Sequence, residues 1–282
     1  MELESRSYGS ARDLYVEYVK RTRPYTMTVD HFHSFYEIYY LLSGSRIYFV
    51  QDRTYRVEQG DLVFLGKNVL HKTMQGESAS HERFIVHFGD DFVRQRGGAH
   101  ADLLLEPFRQ SSPVIRLPRE EQRAVDRLLR RMAEEIGSKP PGYELVPPAA
   151  VADLLLLAAR HVREQAPLPA YENLSPKEAK ISEVVRYINA NYHTPLKLGE
   201  LADRFYVSRH HLSRTFKEVT GFAFSDYLVL TRIKEAQALL RDTDRSIADI
   251  ASAAGFDNFS HFGKTFKKIT RQSPREYRKG SG

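Results

Sequence analysis

The sequence predicts an α+β chain: a β-barrel of the jelly-roll type, then a pair of helices, then an all-α domain. Short segments rich in β-branched and aromatic residues alternate with turn residues between Tyr25 and Phe88, which is typical of a small barrel. Amphipathic helical patterns follow, from Pro118 to Val162. From Leu198 to Tyr277 one pattern occurs twice, which indicates one supersecondary unit used twice.

Length and composition set the first limits on function. A chain of 282 residues is long enough for two domains with their own cores. It contains no cysteine, which excludes disulfides, zinc–thiolate sites and a cysteine nucleophile and fits a reducing compartment. The N-terminus is acidic and lacks an apolar signal segment, and we expect no run long enough to span a membrane. These features predict a cytoplasmic protein with no membrane partner.

The predicted strands of the barrel are separated by turn residues. Turns are expected at Ser43-Gly44, at Gln51-Asp52-Arg53 and at Gly60-Asp61. The strands between and around them cover residues 35–42, 46–50, 54–57, 62–65 and 83–88. Gly97-Gly98, with the charged run Arg94–Arg96 before it, is expected to form a loop after the barrel.

Histidines and one carboxylate are spaced in the barrel as metal ligands often are. The run is His31-x-His33-x-x-x-Glu37, and His71 follows Gly60 after ten residues. Three imidazoles and a carboxylate form a chemically sensible site for a divalent metal. This spacing resembles the two motifs of the cupin barrels, although Gly66 and Asn68 stand where cupins often have other residues.

The same residues have two further interpretations. They could bind a small effector together with Tyr39, Arg46 and Tyr48, because aromatic faces and hydrogen-bonding groups suit a sugar or a similar polar molecule. They could instead satisfy strand ends and have only a structural role. The predicted effector-binding residues are His31, His33, Glu37, Tyr39, Arg46, Tyr48 and His71.

Two helices are predicted after the barrel. The first runs from Pro118 to Ile136, and the second, very apolar, runs from Val151 to Val162. The apolar side of the first helix is predicted to carry Ala124, Leu128, Met132 and Ile136. Prolines in the segment 137–148 predict a loop between the two helices. The two apolar stripes exceed what one barrel can cover, so a dimer contact is expected; packing of both helices on their own barrel is the alternative.

The C-terminal repeat is nearly exact in places. Leu212–Lys217 and Phe262–Lys267 match at a constant offset of 50 residues, which also relates Tyr227 to Tyr277. In each copy a short helix is followed by a tight break, a capping residue and a second helix. The predicted caps are Ser208 in the first copy and Asp257 or Asn258 in the second.

The second helix of each copy has one apolar and one basic, small-polar face. The apolar positions are Leu212, Phe216 and Val219 in the first copy, and Phe262, Phe266 and Ile269 in the second. Such a unit is the helix-turn-helix geometry that places a recognition helix in the major groove. A continuous helix from Phe224 to Leu240 would hold the two recognition helices roughly 34 Å apart, one turn of the duplex.

These motifs resemble those of a known family. The run Leu-Ala-x-x-Phe-x-Val-Ser-x-x-His-Leu-Ser-Arg-x-Phe-Lys, from Leu201 to Lys217, is similar to the first helix-turn-helix of the AraC/XylS transcription regulators. The second copy, from Ser246 to Arg278, is similar to their second one. Arg271 departs from the pattern, because the family commonly has glycine there. Loss of a left-handed cap glycine would cost up to about 1 kcal/mol.

The positive charge of the chain lies in the same region. From Ile181 onward the sequence has 17 Lys/Arg and 11 Asp/Glu, so this segment carries the whole formal net charge of +6. A basic excess at the repeat favours phosphate contacts. By resemblance, the DNA-binding residues are His210, Ser213, Arg214, Lys217, Asn258, Ser260, His261, Gly263, Lys264 and Lys267. Within this set, Lys217 and Lys267 are expected to contact the backbone.

The resemblance also implies a domain plan. We expect a cupin-like effector-sensing barrel in residues 1–110, a helical dimerisation region in 111–165, a linker in 166–180 and the DNA-binding domain in 181–282.

The predicted function is a ligand-responsive regulator, most simply an activator, with no catalytic residues and no cofactor. Its expected partners are double-stranded DNA, a small polar effector such as a sugar, RNA polymerase by resemblance to the family, and a second copy of the chain. The alternative is a metal-dependent cupin enzyme with an accessory DNA-binding module, using His31, His33, Glu37 and His71 as ligands.

Overall fold

The computed structural model describes residues 3–10, 13–27, 32–164 and 174–280, which form two compact units. The N-terminal unit contains the strands and the helical pair. The C-terminal unit is helical. This arrangement confirms the predicted fold class, a sheet-rich N-terminal domain followed by a helical domain.

Two antiparallel sheets form the barrel of the N-terminal unit within the described residues. The strands are β1 (Leu3–Gly9), β2 (Leu14–Arg21), β3 (Tyr36–Ser43), β4 (Ser45–Val50), β5 (Arg53–Glu58), β6 (Asp61–Leu65), β7 (His71–Gln75), β8 (His81–Phe88) and β9 (Val114–Arg116). One sheet has the order β1-β2-β8-β3-β6-β9, and the other has the order β5-β4-β7.

Strand alternation gives the larger sheet two different faces. On β3, Tyr39 and Leu41 pack with Tyr48 and Val57 of the smaller sheet. The alternate positions, such as Ile38, pack with the helices on the other side. Because successive side chains point to opposite faces of a strand, every second residue of β3 points between the two sheets.

The predicted set lacks four of the strands, namely β1, β2, β7 and β9. The edge strand β1 alternates only between exposed and half-buried positions, so it carries no hydrophobic signal, and it is recognised by its pairing with β2. The short strands β7 and β9 complete the sheets by pairing with β4 and β6. Pairing with another strand therefore defines these strands, and local preference does not.

The expected loop after the barrel is helical. Helix α1 (Asp90–Gly97) begins with two acidic residues, which favour a helix N-terminus, and buries Phe92 and Val93. Gly98, at φ 50°, ends this helix, so the glycine pair marks a helix terminus. Helix α2 (Ala101–Leu104) follows.

The helical pair is longer than predicted, and the apolar stripe of its first helix is shifted in part. In helix α3 (Arg119–Ser138), Met132 and Ile136 are buried as predicted, but Val125 and Leu129 are buried in place of Ala124 and Leu128, which are only half-buried. Helix α4 (Val146–Glu164) begins inside the segment predicted as a loop. Pro147 and Pro148 lie in its first turn, where the missing N–H groups would have had no partner in the helix.

One helix contradicts the expectation that no segment could span a membrane. In the described part of the chain, Tyr143–Glu164 is long and apolar enough by length and composition. However, Val151, Leu154 and Leu155 are fully buried in the core of the N-terminal unit. The buried core helix of a soluble protein meets the same criteria of length and composition, so this observation is weak evidence for a membrane segment.

The C-terminal unit consists of helices throughout. They are α5 (Pro176–Asn191), α6 (Leu198–Arg204), α7 (Arg209–Thr220), α8 (Phe224–Asp242), α9 (Ile247–Ala253), α10 (Phe259–Thr270) and α11 (Pro274–Gly280). Helix α5 begins inside the predicted linker, because Ser175 and Glu178 form a capping box and proline is tolerated at the first helical position. Part of the predicted linker, 176–180, is thus helical, and residues 165–173 lie outside the described residues.

The two copies of the repeat have the same local geometry. The cap Ser208 accepts from the backbone N–H of His211, and Asn258 accepts from that of His261, which decides between the two predicted caps of the second copy. The breaks match as well, since Tyr206 and Gly255 occupy equivalent positions with φ 56° and 86°. The predicted helix between the copies is confirmed as α8.

Arg271 provides the first testable prediction. It ends α10 in the left-handed region at φ 65°, and its counterpart after α7 is Gly221 at φ 78°. We expect Arg271→Gly to raise the free energy of unfolding by roughly 0.5–1 kcal/mol, because a non-glycine residue is strained there. Gly221→Ala should lower it by a similar amount. Chemical denaturation measures both, and a loss of stability in Arg271→Gly would contradict the prediction.

Candidate DNA interface and buried polar clusters

Helix α7 separates its residues cleanly into two faces. Leu212, Phe216 and Val219 are buried, as predicted. The four residues predicted to contact DNA are all exposed: His210, Ser213, Arg214 and Lys217. In the described residues Arg214 forms no ion pair, so its guanidinium is available to a base or a phosphate.

Helix α10 repeats this division. Phe262 and Phe266 are buried, while Ile269 is only half-buried. Five of the predicted DNA contacts are exposed, namely Asn258, Ser260, His261, Lys264 and Lys267, and the sixth, Gly263, is half-exposed. The N-terminus of each recognition helix therefore presents hydrogen-bonding and basic groups, as phosphate and base contacts require.

The predicted DNA contacts do not include the first residue of either recognition helix. Arg209 begins α7 and Phe259 begins α10, and both are exposed. Phe259 is 57% exposed, unusual for a large apolar side chain. The same offset of 50 residues relates these two positions and could have revealed them.

A buried carboxylate surrounded by imidazoles lies in the barrel, and we call it the acid–imidazole cluster (His33, Glu37, His71 and His87). Glu37 Oε2 lies 2.8 Å from His87 Nε2, 3.2 Å from His33 Nε2 and 3.9 Å from His71 Nε2. His87 opposes Glu37 in the pairing of β8 with β3, and His71 comes from β7 of the other sheet. The predicted His31 lies outside the described residues.

Hydrogen bonds to the backbone orient two of these imidazoles. His33 Nδ1 donates to the carbonyl of Phe35 and His71 Nδ1 donates to that of Val69, each at 2.9 Å. A carbonyl only accepts, so Nδ1 of each of these two rings carries a proton, and the Nε2 atoms face Glu37. Burial opposes ionisation of Glu37, but the bonds from His33 and His87 outweigh it and hold the pKa of Glu37 well below its ordinary value.

The donor set fits a divalent transition metal. Ligand atoms of His33, Glu37 and His87 lie within 4.8 Å of one another. Imidazole and carboxylate ligands suit such ions, and Nδ1 bonds to backbone carbonyls are the usual support of metal-binding histidines. His87 is therefore a candidate ligand that the predicted set does not include. The sequence does indicate that its side chain points into the barrel, because polar residues at 81, 83 and 87 alternate with apolar residues at 84, 86 and 88.

The remaining predicted effector residues lie farther along the barrel interior. Tyr39 and Tyr48 are buried with their ring centroids 5.0 Å apart. Burial raises the pKa of Tyr39 to about 12. Arg46 is buried four residues from Val50, which pairs with His71, so about 13 Å of strand separates it from the acid–imidazole cluster. Its neighbours are His81 and Arg83 of β8.

His81 provides a pH-dependent prediction. Burial, and then the positive charges of Arg46, Arg83 and Arg21, lower its pKa from 6.5 to about 4. Tyr25 also faces it, with ring centroids 6.4 Å apart. The unfolded chain binds more protons than the folded chain between these pKa values, so stability present above pH 6.5 is lost as the pH falls towards 4. We expect the thermal midpoint to fall over this range, and to fall less in His81→Gln; equal slopes would contradict this assignment.

Comparison with known proteins matches a ligand-binding family to the N-terminal part of the chain and a helix-turn-helix family to the C-terminal part. Residues 14–156 match the family described as the AraC-like ligand binding domain, and residues 201–280 match a helix-turn-helix domain. An uncharacterized HTH-type transcriptional regulator of Staphylococcus aureus is 36% identical over 126 residues, 44% of this chain but only 17% of that relative. The uncharacterized HTH-type transcriptional regulator YfiF of Bacillus subtilis is 25% identical over 272 residues, 94% of this chain and 83% of that protein.

Among solved structures, a transcriptional regulator of Chromobacterium violaceum with an AraC-type DNA-binding domain is 34% identical. The match covers 37% of this chain and 94% of that one, with a TM-score of 0.36.

A ligand-binding barrel joined in one chain to two helix-turn-helix motifs defines a DNA-binding transcription regulator with a ligand-binding domain. The chain belongs to the AraC family of these regulators. The family is one of regulators rather than of enzymes, in agreement with the predicted absence of a catalytic role.

Proposed function

We propose that this protein is a cytoplasmic transcription activator that reads DNA with α7 and α10 and responds to a small polar effector held in the barrel. The observation that carries the proposal is the pair of equivalent helices, each of which buries its apolar side chains and exposes its basic and small polar ones. Phosphate contacts supply affinity, and a few side chains read base edges.

The proposed base contacts are those near the helix N-termini. They comprise His210, Ser213 and Arg214 on α7, and Asn258, Ser260, His261, Gly263 and Lys264 on α10. Arg214 is exposed and without an ion pair in the described residues, which suits a bidentate contact to guanine. Lys217 and Lys267 lie one turn farther on and are assigned to phosphates.

The proposed effector domain is the barrel interior. The acid–imidazole cluster and Tyr39, Tyr48 and Arg46 provide buried polar groups between apolar walls, an arrangement that fits a small polar ligand such as a sugar. We assign no catalytic role to any of these residues.

The proposed assembly is a homodimer that acts with RNA polymerase. The helical pair supports a contact between copies, since Leu156 and Leu157 of α4 are only partly buried within their own unit. The boundaries of this dimerisation region, 111–165, and of the sensing barrel, 1–110, belong to the same proposal.

Selection of bound sequences from random DNA by the full chain tests this function. We expect a long, composite site with two informative segments about one helical turn apart, because two recognition helices on one face meet successive major grooves. Recovery of random sequences at physiological salt would contradict the proposal. Repetition of the selection with candidate effectors tests the response of the barrel.

A further inference from the structure

A second group of buried polar side chains lies in the barrel, and we call it the arginine cluster (Tyr39, Arg46, His81 and Arg83). Each is at least nine-tenths buried: Tyr39 and Arg46 are 1% exposed, His81 2% and Arg83 9%. Arg83 opposes Leu41 in the pairing of β8 with β3, and Arg46 opposes Gln75 in the smaller sheet. The two sheets thus bring two guanidinium groups to one end of the interior.

The positive charge of this cluster is only partly balanced. Arg83 Nη2 donates to the carboxylate of Glu17 at 2.8 Å. Arg46 donates to neutral acceptors, the Gln75 side chain at 3.1 Å and the Tyr25 carbonyl at 2.6 Å, and forms no ion pair in the described residues. The fields of Arg46 and Arg83 help to lower the pKa of His81, which reports a positive potential. A buried guanidinium without a counter-ion is costly, so one negative charge would stabilise this region.

Three donor groups of the cluster also lack a hydrogen-bond partner. Among the described residues these are Arg46 Nε, Arg83 Nη1 and the Tyr39 hydroxyl, and the ring atom His81 Nδ1 is buried and unpartnered beside them. Native proteins rarely leave buried donors unsatisfied, because each costs the desolvation of a polar group. Three unpartnered donors, two of them guanidinium nitrogens, have the composition of an oxyanion site.

We infer that the arginine cluster binds the carboxylate of a small organic acid, which is the effector. This inference rests on the proposed role of the barrel as the effector domain and changes the expected ligand from a neutral sugar to an anion. Glu17 pairs with Arg83, so the charge of Arg46 is left for one carboxylate, in a positive field to which Arg21 also contributes. Tyr48, Val57 and Val63 supply the aromatic and aliphatic surroundings of the ligand body.

The segment 22–27 covers the arginine cluster at the edge of β7. The Tyr25 carbonyl accepts from Arg46, the Tyr25 backbone N–H donates to Gln75, and the Met27 N–H donates to the Thr73 carbonyl at 3.0 Å. Residues 24–27 of this segment lie outside any strand or helix. The Tyr25 ring also lies against Arg46 and His81, so this segment contacts the cluster directly.

Matched pairs of ligands test the charge requirement on the full chain. Benzoate, phenylacetate and hexanoate are each compared with the corresponding neutral amide by calorimetry and by thermal shift. We expect at least one acid to bind and to raise the thermal midpoint, while its amide does not. Equal behaviour of acid and amide in all three pairs would overturn the inference. Tighter binding of phenyl phosphate than of benzoate would overturn the choice of a carboxylate.

Variants of Arg46 test the residue. Arg46→Gln should weaken binding of the acid by at least about 30-fold, because loss of a buried charged partner leaves the anion unpaired. Arg46→Lys keeps the charge and should weaken binding less. Retained binding in Arg46→Gln would overturn the assignment, and the ligand pairs on the unchanged protein decide the inference if this variant does not fold. If glucose bound and none of the acids did, the inference would be overturned, but the proposed role of the barrel as an effector domain would stand. The DNA selection tests DNA binding independently of either result.

Discussion

Phe262→Ala is expected to lower the free energy of unfolding of the C-terminal unit by about 3–5 kcal/mol. Phe262 is fully buried, and its ring centroid lies 5.1 Å from that of Phe256 and 5.6 Å from that of Phe266. Truncation removes the buried ring and leaves a cavity that rigid neighbours cannot fill. Chemical denaturation of the full chain, followed by circular dichroism at helix wavelengths, measures the loss.

The matched control lies three residues earlier on the same helix. Phe259 is 57% exposed, so Phe259→Ala should change stability by no more than about 0.5 kcal/mol. Because apolar side chains contact the thymine methyl in the major groove, the same variant should lose preference for thymine at one position of the selected site. Equal destabilisation by both variants would contradict the orientation of α10.

Arg214→Ala should weaken binding to the selected DNA site by about 1–3 kcal/mol, roughly 5- to 150-fold, with preference relaxed at a single base pair. The guanidinium is exposed on the basic face of α7, opposite the buried Leu212 and Phe216, and can present two parallel N–H groups to guanine. Competition binding with the selected site and with each single-base variant measures both the affinity and the preference.

Lys217 gives the contrasting result. It lies about one turn after Arg214 and is exposed, so Lys217→Ala should weaken binding to all sequences alike and reduce the slope of log affinity against log salt by about 1. Neither variant removes a buried group, so neither should change the thermal midpoint appreciably. If Arg214→Ala lost equal affinity for random and selected DNA, Arg214 would be a phosphate contact instead.

Local patterns were sufficient for the C-terminal unit. The buried positions of α7, the helix α8 and the helix caps follow from apolar spacing and from residues such as Ser208 that satisfy backbone groups nearby. Helix contacts connect residues three or four apart, so a short stretch of sequence contains most of the information. The ends of the helices are less well predicted, since α5 begins at Pro176, inside the predicted linker.

The barrel was only partly predictable for the same physical reason. Strands with strong apolar patterns, such as β3, were found, whereas β1 was not, because an exposed edge strand has little hydrophobic signal. The prolines at the start of α4 predict a loop, but the helix accommodates them in its first turn, because the cost of proline depends on its position in a helix.

The sequence by itself determined the class of fold, the duplicated helix-turn-helix and the residues that its second helices expose, since these depend on short-range periodicity. Only the tertiary structure decided which polar side chains meet inside the barrel. Glu37 and His87 are 50 residues apart, and Arg46 and Arg83 come from different sheets. Their meeting depends on strand register and on how the sheets face each other, and a shift of one residue would turn every such side chain to the opposite face.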